Sequence, residues 1–147
     1  MKLSHVPLRL ATGAFILNSG LGKRELEPEA AVGLRAMPAN ATSLVNRVSP
    51  TTFGKAVSTG EMALGAALLA PFVPPVLAGA ALTAFSGGLL AMYLKTPGLH
   101  EEGSIKPTQA GTAIAKDVWL FGAGLSLLID GLSEARRSAK KTTYRGH

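Results

Sequence analysis

The sequence contains no cysteine. Disulfide bonds, thiol nucleophiles, Cys-ligated zinc and iron–sulfur clusters are therefore excluded within this chain. Its three histidines, His5, His100 and His147, lie outside the long apolar segments, so they cannot hold a haem between membrane helices. No His or carboxylate cluster predicts a metal site, and no P-loop, dinucleotide fingerprint or Ser–His–Asp grouping is present. We therefore expect no catalytic residue and no cofactor bound by protein ligands, which leaves a quinone or a lipid as the candidate bound molecule.

Aromatic and charged residues are also scarce. Aromatic residues make up 5% of the 147 positions and charged residues 16%, against roughly 25% charged residues in soluble domains. Glycine occurs 17 times and the mean hydropathy is +0.27. Abundant small residues with little charge are typical of membrane helices, which pack closely. The composition predicts an all-α integral membrane protein with a single domain.

Four apolar segments are long enough, or nearly so, for the roughly 20 residues that a membrane span requires. They cover residues 6–22, 53–72, 75–94 and 114–132, and predict a four-helix transmembrane bundle over residues 1–135. "KRELEPE" follows the first segment and is unlike a signal-peptidase site, so we interpret that segment as an uncleaved helix. Pro28 is expected to begin a short amphipathic helix in the first connection, ending before Pro38. We find no internal repeat and no heptad array.

The net charge of +6 is concentrated in the tail, residues 136–147, "RRSAKKTTYRGH". Because cytoplasmic flanks of membrane helices are rich in Lys and Arg, the tail indicates a multi-pass protein of the bacterial plasma membrane with both termini in the cytoplasm. A rival interpretation is an anchor that binds DNA or lipid head groups through this tail. Since the tail directly follows an apolar segment, we expect no nucleic-acid partner.

The second apolar segment contains an acid, Glu61, about eight residues from its start, or roughly 12 Å along a helix. An ionised carboxylate at that depth is costly unless it is paired or protonated. We predict that Glu61 faces the bundle and meets Lys116 or Asn18, in a buried polar cluster that also includes Asp117. This cluster is either a structural tie between helices or a ligand site.

Two further patterns concern contacts between the helices. Arg9 and Asp130 fall at the same membrane boundary and are predicted to form an ion pair. Rows of small or polar residues four apart predict packing seams. These rows are Gly79, Thr83, Gly87 and Ala91; Gly122, Ser126 and Asp130; and Ala14, Asn18 and Gly22.

Three stretches, "LRLATGAFILNSGLGK" (8–23), "GEMALGAALL" (60–69) and "KD" (116–117), resemble the DoxX-like family of small four-helix bacterial membrane proteins. The long first connection is similar to that of actinobacterial members. The positions that match the family pattern are Arg9, Gly13, Gly20, Lys23 and Glu61.

The family takes its name from a subunit of a terminal quinol-oxidase and thiosulfate-oxidising system, and some members are similar to partners in membrane oxidoreductase complexes. The resemblance therefore implies a non-catalytic accessory or scaffold subunit of a membrane redox complex, with membrane lipids and other subunits as partners. The alternative is a small carrier, or a quinone- or lipid-binding protein, that uses a buried pocket at Glu61.

Overall fold

The computed structural model describes residues 2–145, without the side chains of residues 37, 40, 41, 44 and 138–145. No strand occurs within 2–145, so the predicted all-α class is confirmed. The α-helices are α1 (Val6–Gly22), α2 (Pro28–Ala41), α3 (Pro50–Leu69), α4 (Pro75–Lys95), the single turn α5 (Thr112–Ala115) and α6 (Val118–Arg145). Short 3-10 turns cover Leu3–His5 and Ser43–Arg47.

Helix boundaries follow local chemistry. Helix α3 ends three residues before the predicted segment does, the predicted segment 114–132 is divided between α5 and α6, and three further differences have a local cause. First, α3 begins three residues early because the Ser49 hydroxyl accepts a 3.2 Å hydrogen bond from the Thr52 amide and Pro50 occupies the first turn. Second, α2 continues through Pro38, with the Thr42 amide bonded to the Pro38 carbonyl at 3.0 Å. Third, α6 does not end at Leu132. Its continuation is rich in Glu, Ala, Arg and Lys, which favour helix, so the basic tail extends the same helix as far as Arg145.

The helices form two tightly packed antiparallel pairs, α1 with α3 and α4 with α6. Glycines permit the close approach in each pair. A Cβ at Gly65 of α3 would lie 2.6 Å from the Leu17 amide nitrogen of α1, and one at Gly20 of α1 would lie 2.8 Å from the Met62 nitrogen. In the other pair, a Cβ at Gly79 would collide with the backbone of α6 near Leu128. Contacts between the two pairs are far fewer, and α2 lies across α3 and α4.

The predicted seams were partly wrong in register. Gly79 and Thr83 do face α6, but Gly122 and Ser126 are exposed, as are Ala14, Asn18 and Gly22 on α1. A shift of one residue turns a helix by about 100°, which is enough to move a side chain from a seam to the outer surface.

Most buried positions instead recur at intervals of three, four or seven residues, the spacing of a heptad repeat, while Leu64 and Ala78 are buried outside this series. On the first pair they are Arg9, Gly13, Ile16 and Gly20 of α1, and Gly54, Ser58, Glu61, Gly65 and Leu68 of α3. On the second pair they are Gly79, Leu82, Ser86 and Tyr93 of α4, and Gly124, Leu127 and Gly131 of α6. The expectation of no heptad array was wrong, because small and polar residues fill much of this repeat and a search for large apolar residues passes over them.

Two helices, Pro75–Lys95 and Thr112–Arg137, are long and apolar enough to cross a membrane. Only 28% and 11% of their apolar windows are buried inside the molecule, whereas the core helix of a water-soluble protein is mostly buried. The other two long helices do not meet this standard by themselves: α1 has only 17 residues, and threonine, serine and charged residues dilute the first half of α3. Large apolar side chains are nevertheless exposed on both pairs, among them Phe15, Leu77, Leu94, Trp119 and Ile129.

Candidate functional site

Glu61 lies in the middle of α3, is only 7% exposed, and forms an ion pair with Lys23. The Lys23 ammonium donates to both Glu61 carboxylate oxygens, at 3.0 and 2.8 Å, and to the Ser19 hydroxyl at 2.6 Å. These bonds engage all three ammonium hydrogens. A buried carboxylate is thereby neutralised and hydrogen-bonded, which the apolar surroundings require.

The prediction that Glu61 points inward to a partner agrees with this geometry, but the predicted partners were wrong. Asn18 and Lys116 are both exposed, whereas Lys23, directly after α1, reaches Glu61. The antiparallel register of α1 and α3 brings the end of α1 opposite residues 58–61, and the Ser58 hydroxyl fixes that register with a 2.8 Å bond to the Gly20 carbonyl. Sequence reasoning reached Lys23 only through the family resemblance. The signal it missed is that Lys23 continues the heptad series of α1 by one step.

Asp117, another member of the predicted cluster, shares a cavity with Glu61. This central cavity, of about 370 Å³, lies between the two helix pairs. Its polar lining consists of Ser19, Lys23, Glu61 and Asp117, and its apolar lining includes Phe85. Among the described residues, the half-buried Asp117 carboxylate has no hydrogen-bond or ion-pair partner. The structure therefore brings Glu61 and Asp117 to one cavity and leaves Asn18 and Lys116 outside it.

Two more spaces meet the central cavity at Glu61 and Phe85. The α3–α4 groove has a volume of about 550 Å³ and is otherwise lined by small or apolar residues: Val57, Gly60, Ala63, Leu64, Ala67 and Ala81. A third cavity, of about 350 Å³, lies beneath α2 and is lined by Leu34, Pro38 and Phe53 together with Lys23, Glu61 and Phe85. All three spaces exist because the helix pairs pack tightly within themselves and loosely against each other. The Lys23–Glu61 pair thus borders a cavity of mixed polar and apolar lining, and Glu61 also borders an apolar groove.

The predicted ion pair between Arg9 and Asp130 is wrong. The Arg9 side chain is 1% exposed and donates only to backbone carbonyls: Leu68 at 2.7 Å, Ala67 at 2.9 Å, Ala70 at 2.8 Å and Val73 at 3.0 Å. These carbonyls belong to the last turn of α3 and the turn after it, where no helical amide is available. Arg9 therefore acts as a C-terminal cap for α3, and the negative end of the helix dipole favours its charge.

Asp130 instead contacts the N-terminal segment. It accepts from Lys2 at 2.6 Å and lies 2.6 Å from Nε2 of the buried His5, while Lys2 also pairs with Glu134 at 3.0 Å. Hydrogen bonds from the ammonium to Asp130 and then to Glu134 raise the pKa of Lys2 above its ordinary value. Because the pKa is raised, Lys2 is charged at neutral pH, and its share of this contact is lost as the pH rises through the alkaline range. The contact ties the start of the chain to the C-terminal half of α6.

Comparisons with known proteins do not identify the chain: no family model, no curated protein and no solved structure matches it.

Proposed function

We propose that this chain is a multi-pass membrane protein whose helices α1, α3, α4 and α6 all cross the bilayer. The exposed apolar side chains on both helix pairs support this proposal, because hydrocarbon is the solvent that favours such a surface. The charged residues of α1 and α3 that point inward, Arg9 and Glu61, are both hydrogen-bonded to groups within the molecule. Membrane helices require such internal satisfaction.

The proposed orientation places both termini in the cytoplasm of a bacterium. The contact of Lys2 and His5 with Asp130 supports placing the N-terminal segment and the C-terminal half of α6 at the same end of the molecule. The Arg9 contacts put the turn between α3 and α4 at that end too. Arg136 and Arg137 of α6 follow, and positive flanks favour the cytoplasmic side.

The function that the geometry supports best is binding of an amphiphile, a lipid or a quinone, at Glu61. The observation that carries this proposal is the position of Glu61, paired with Lys23, where the central cavity with its four polar side chains meets the apolar α3–α4 groove. A polar head next to the ion pair and an apolar chain along the groove would match the two linings. If Glu61 only tied the helices together, the ion pair would be enough, and no cavity or groove beside it would be required.

A pair of groove variants tests this proposal without disturbing the ion pair. Ala81 lines the α3–α4 groove, whereas Ala80 is exposed on the same helix and does not. The protein in phosphatidylcholine nanodiscs is titrated with decylubiquinol, a reduced quinone whose hydroxyls donate hydrogen bonds, or with lysophosphatidylethanolamine, a single-chain lipid with an ammonium head, and the unfolding temperature is recorded. A ligand at about 100 times its Kd stabilises by about 2.7 kcal/mol, so the unfolding temperature should rise for the wild type and Ala80→Trp. Ala81→Trp should not respond.

A second pair of variants tests the role of the Glu61 carboxylate: Glu61→Gln removes its charge, and Glu102→Gln in the exposed loop is the control. We expect Glu61→Gln to lose the response to the probe and Glu102→Gln to keep it. Identical responses in all four variants, or no response from the wild type to either probe, would contradict amphiphile binding and favour a purely structural role for Glu61.

A second candidate is the accessory or scaffold subunit of a membrane redox complex, which the DoxX-like resemblance implies. One observation favours it: all five positions of the resemblance, Arg9, Gly13, Gly20, Lys23 and Glu61, lie in the contact between α1 and α3. Purification in a mild detergent should then recover oxidoreductase subunits together with this chain. Recovery of the chain alone, folded, would count against this candidate. The two candidates are compatible, because a subunit of such a complex can hold a quinone.

A further inference from the structure

From the polar groups of the central cavity we infer that its ligand has a positively charged, hydrogen-bond-donating head, of the alkylammonium class. The inference rests on the proposed amphiphile binding and specifies the chemistry of the head group. It depends on which polar groups in the cavity are already engaged and which remain free.

Most of the side-chain hydrogen-bond donors that line the central cavity already have an acceptor within the protein. Lys23 directs its three hydrogens at Glu61 and Ser19. The Ser19 hydroxyl, which accepts from Lys23, is the remaining side-chain donor among the residues that line this cavity. A head group that only accepts hydrogen bonds, such as an ether or an oxidised quinone, would find little to bind.

Acceptors, by contrast, are in excess. Each Glu61 oxygen takes one bond from Lys23 and retains a free lone pair. Both Asp117 oxygens face no partner within the described chain. A head group that donates two or three hydrogen bonds would satisfy these oxygens.

The charge balance points the same way. Lys23 and Glu61 neutralise each other, so Asp117 leaves the lining with one uncompensated negative charge. Opposite charges attract strongly where water is scarce. The face of an aromatic ring also attracts cations, and Phe85 lines all three spaces. A single positive charge on the ligand head would make the cavity neutral.

The test uses four amphiphiles that share a dodecyl chain and differ only in the head: dodecylamine, dodecanol, methyl dodecyl ether and dodecanoate. Affinities are measured from the shift in unfolding temperature in phosphatidylcholine nanodiscs. We expect dodecylamine to bind at least about tenfold more tightly than dodecanol, and the ether and dodecanoate to bind weakest. A factor of ten corresponds to about 1.4 kcal/mol.

Asp117→Asn should reduce the preference for dodecylamine over dodecanol to within about threefold, while Glu102→Gln, which removes an exposed acid, should leave it unchanged. Equal affinities for dodecylamine and dodecanol in the wild type, or tighter binding of dodecanoate, would overturn the head-group inference while leaving amphiphile binding intact. Absence of binding by all four compounds would overturn both. A preference that survives in Asp117→Asn would also overturn the inference, since the selecting charge would lie elsewhere.

Discussion

At the scale of the residue, two buried charges stand out among the described side chains, Glu61 and Arg9, and each is hydrogen-bonded to groups within the molecule. Glu61 is neutralised by Lys23, and Arg9 is surrounded by four carbonyl oxygens. Removing one partner of a buried pair costs about 3–5 kcal/mol, because the other charge is left alone in a medium that solvates it poorly. Both residues therefore act on stability mainly through the partner that remains after a substitution.

The Lys23–Glu61 pair should show strong coupling in a double-mutant cycle. We expect Lys23→Met to lower the free energy of unfolding by about 3 kcal/mol, because it leaves the Glu61 carboxylate stranded. The double variant Lys23→Met/Glu61→Leu should recover much of that loss, since no unpaired charge remains. Unfolding in detergent or nanodiscs measures both values. If the losses in unfolding free energy of the two single variants, Lys23→Met and Glu61→Leu, add up to the loss of the double variant, the two groups do not interact.

Arg9 should be hard to replace by any other residue. Arg9→Met removes the Arg9 hydrogen bonds of four carbonyls, of which, within the described chain, only that of Ala70 keeps another donor, the Val73 amide at 3.2 Å; the cost is about 1–3 kcal/mol for each group left unbonded where water cannot reach. Arg9→Lys should recover only part of the lost stability, because a compact ammonium cannot reproduce the planar set of donors of the guanidinium. Arg24→Met, at an exposed position just beyond α1, is the control and should change little. Equal unfolding temperatures for Arg9→Met and Arg24→Met would contradict the capping role.

At the scale of the element, the close helix pairs depend on glycines at specific heptad positions. The chain offers matched glycines that lie in seams or face open space on the same helix. Gly65 of α3 and Gly79 of α4 lie in seams, whereas a Cβ at Gly60 of α3 or Gly88 of α4 meets nothing within 4 Å.

We expect Gly65→Ala and Gly79→Ala to destabilise the protein by forcing the paired backbones apart, at about 1–3 kcal/mol for overpacking. Gly60→Ala and Gly88→Ala should be neutral or stabilising by up to about 1 kcal/mol, because alanine favours helix over glycine. Thermal unfolding of the four variants distinguishes the two classes. Similar shifts in unfolding temperature for all four variants would contradict the assignment of Gly65 and Gly79 to the contacts within the helix pairs.

The sequence predicted where the helices occur better than it predicted which face of each helix is buried. Lengths of apolar segments were enough to locate α1 and α4 to within a residue, since helix formation depends on local composition. The faces could not be located by searching for large apolar residues, because Gly13, Ser58 and Glu61 occupy heptad positions that such a search ignores. A heptad of small and polar residues becomes visible only once the antiparallel pairing of α1 with α3 is known. For the same reason Glu61 was singled out correctly and its partner Lys23 was not.

At the scale of the whole molecule, the described residues form two tightly packed helix pairs with space between them. Tight glycine seams hold each pair together, while the contact of the N-terminal segment with α6, together with α2, bridges the pairs. The cavities at Glu61 follow from this division, because the loosest packing lies where the two pairs meet. Both the proposed ligand site and its apolar entrance therefore depend on the four helices sharing one bilayer.

Because the chain has no cysteine, single cysteines report which side of the membrane each connection faces. Ser4→Cys at the N-terminus and Phe72→Cys in the exposed turn between α3 and α4 belong to one end of the proposed bundle, and Ser104→Cys in the loop after α4 belongs to the other. In intact cells, a membrane-impermeant thiol reagent should label Ser104→Cys alone, and after cell lysis it should label all three variants. Labelling of Phe72→Cys and Ser104→Cys from the same side, or recovery of the folded chain from an aqueous extract without detergent, would contradict four membrane crossings.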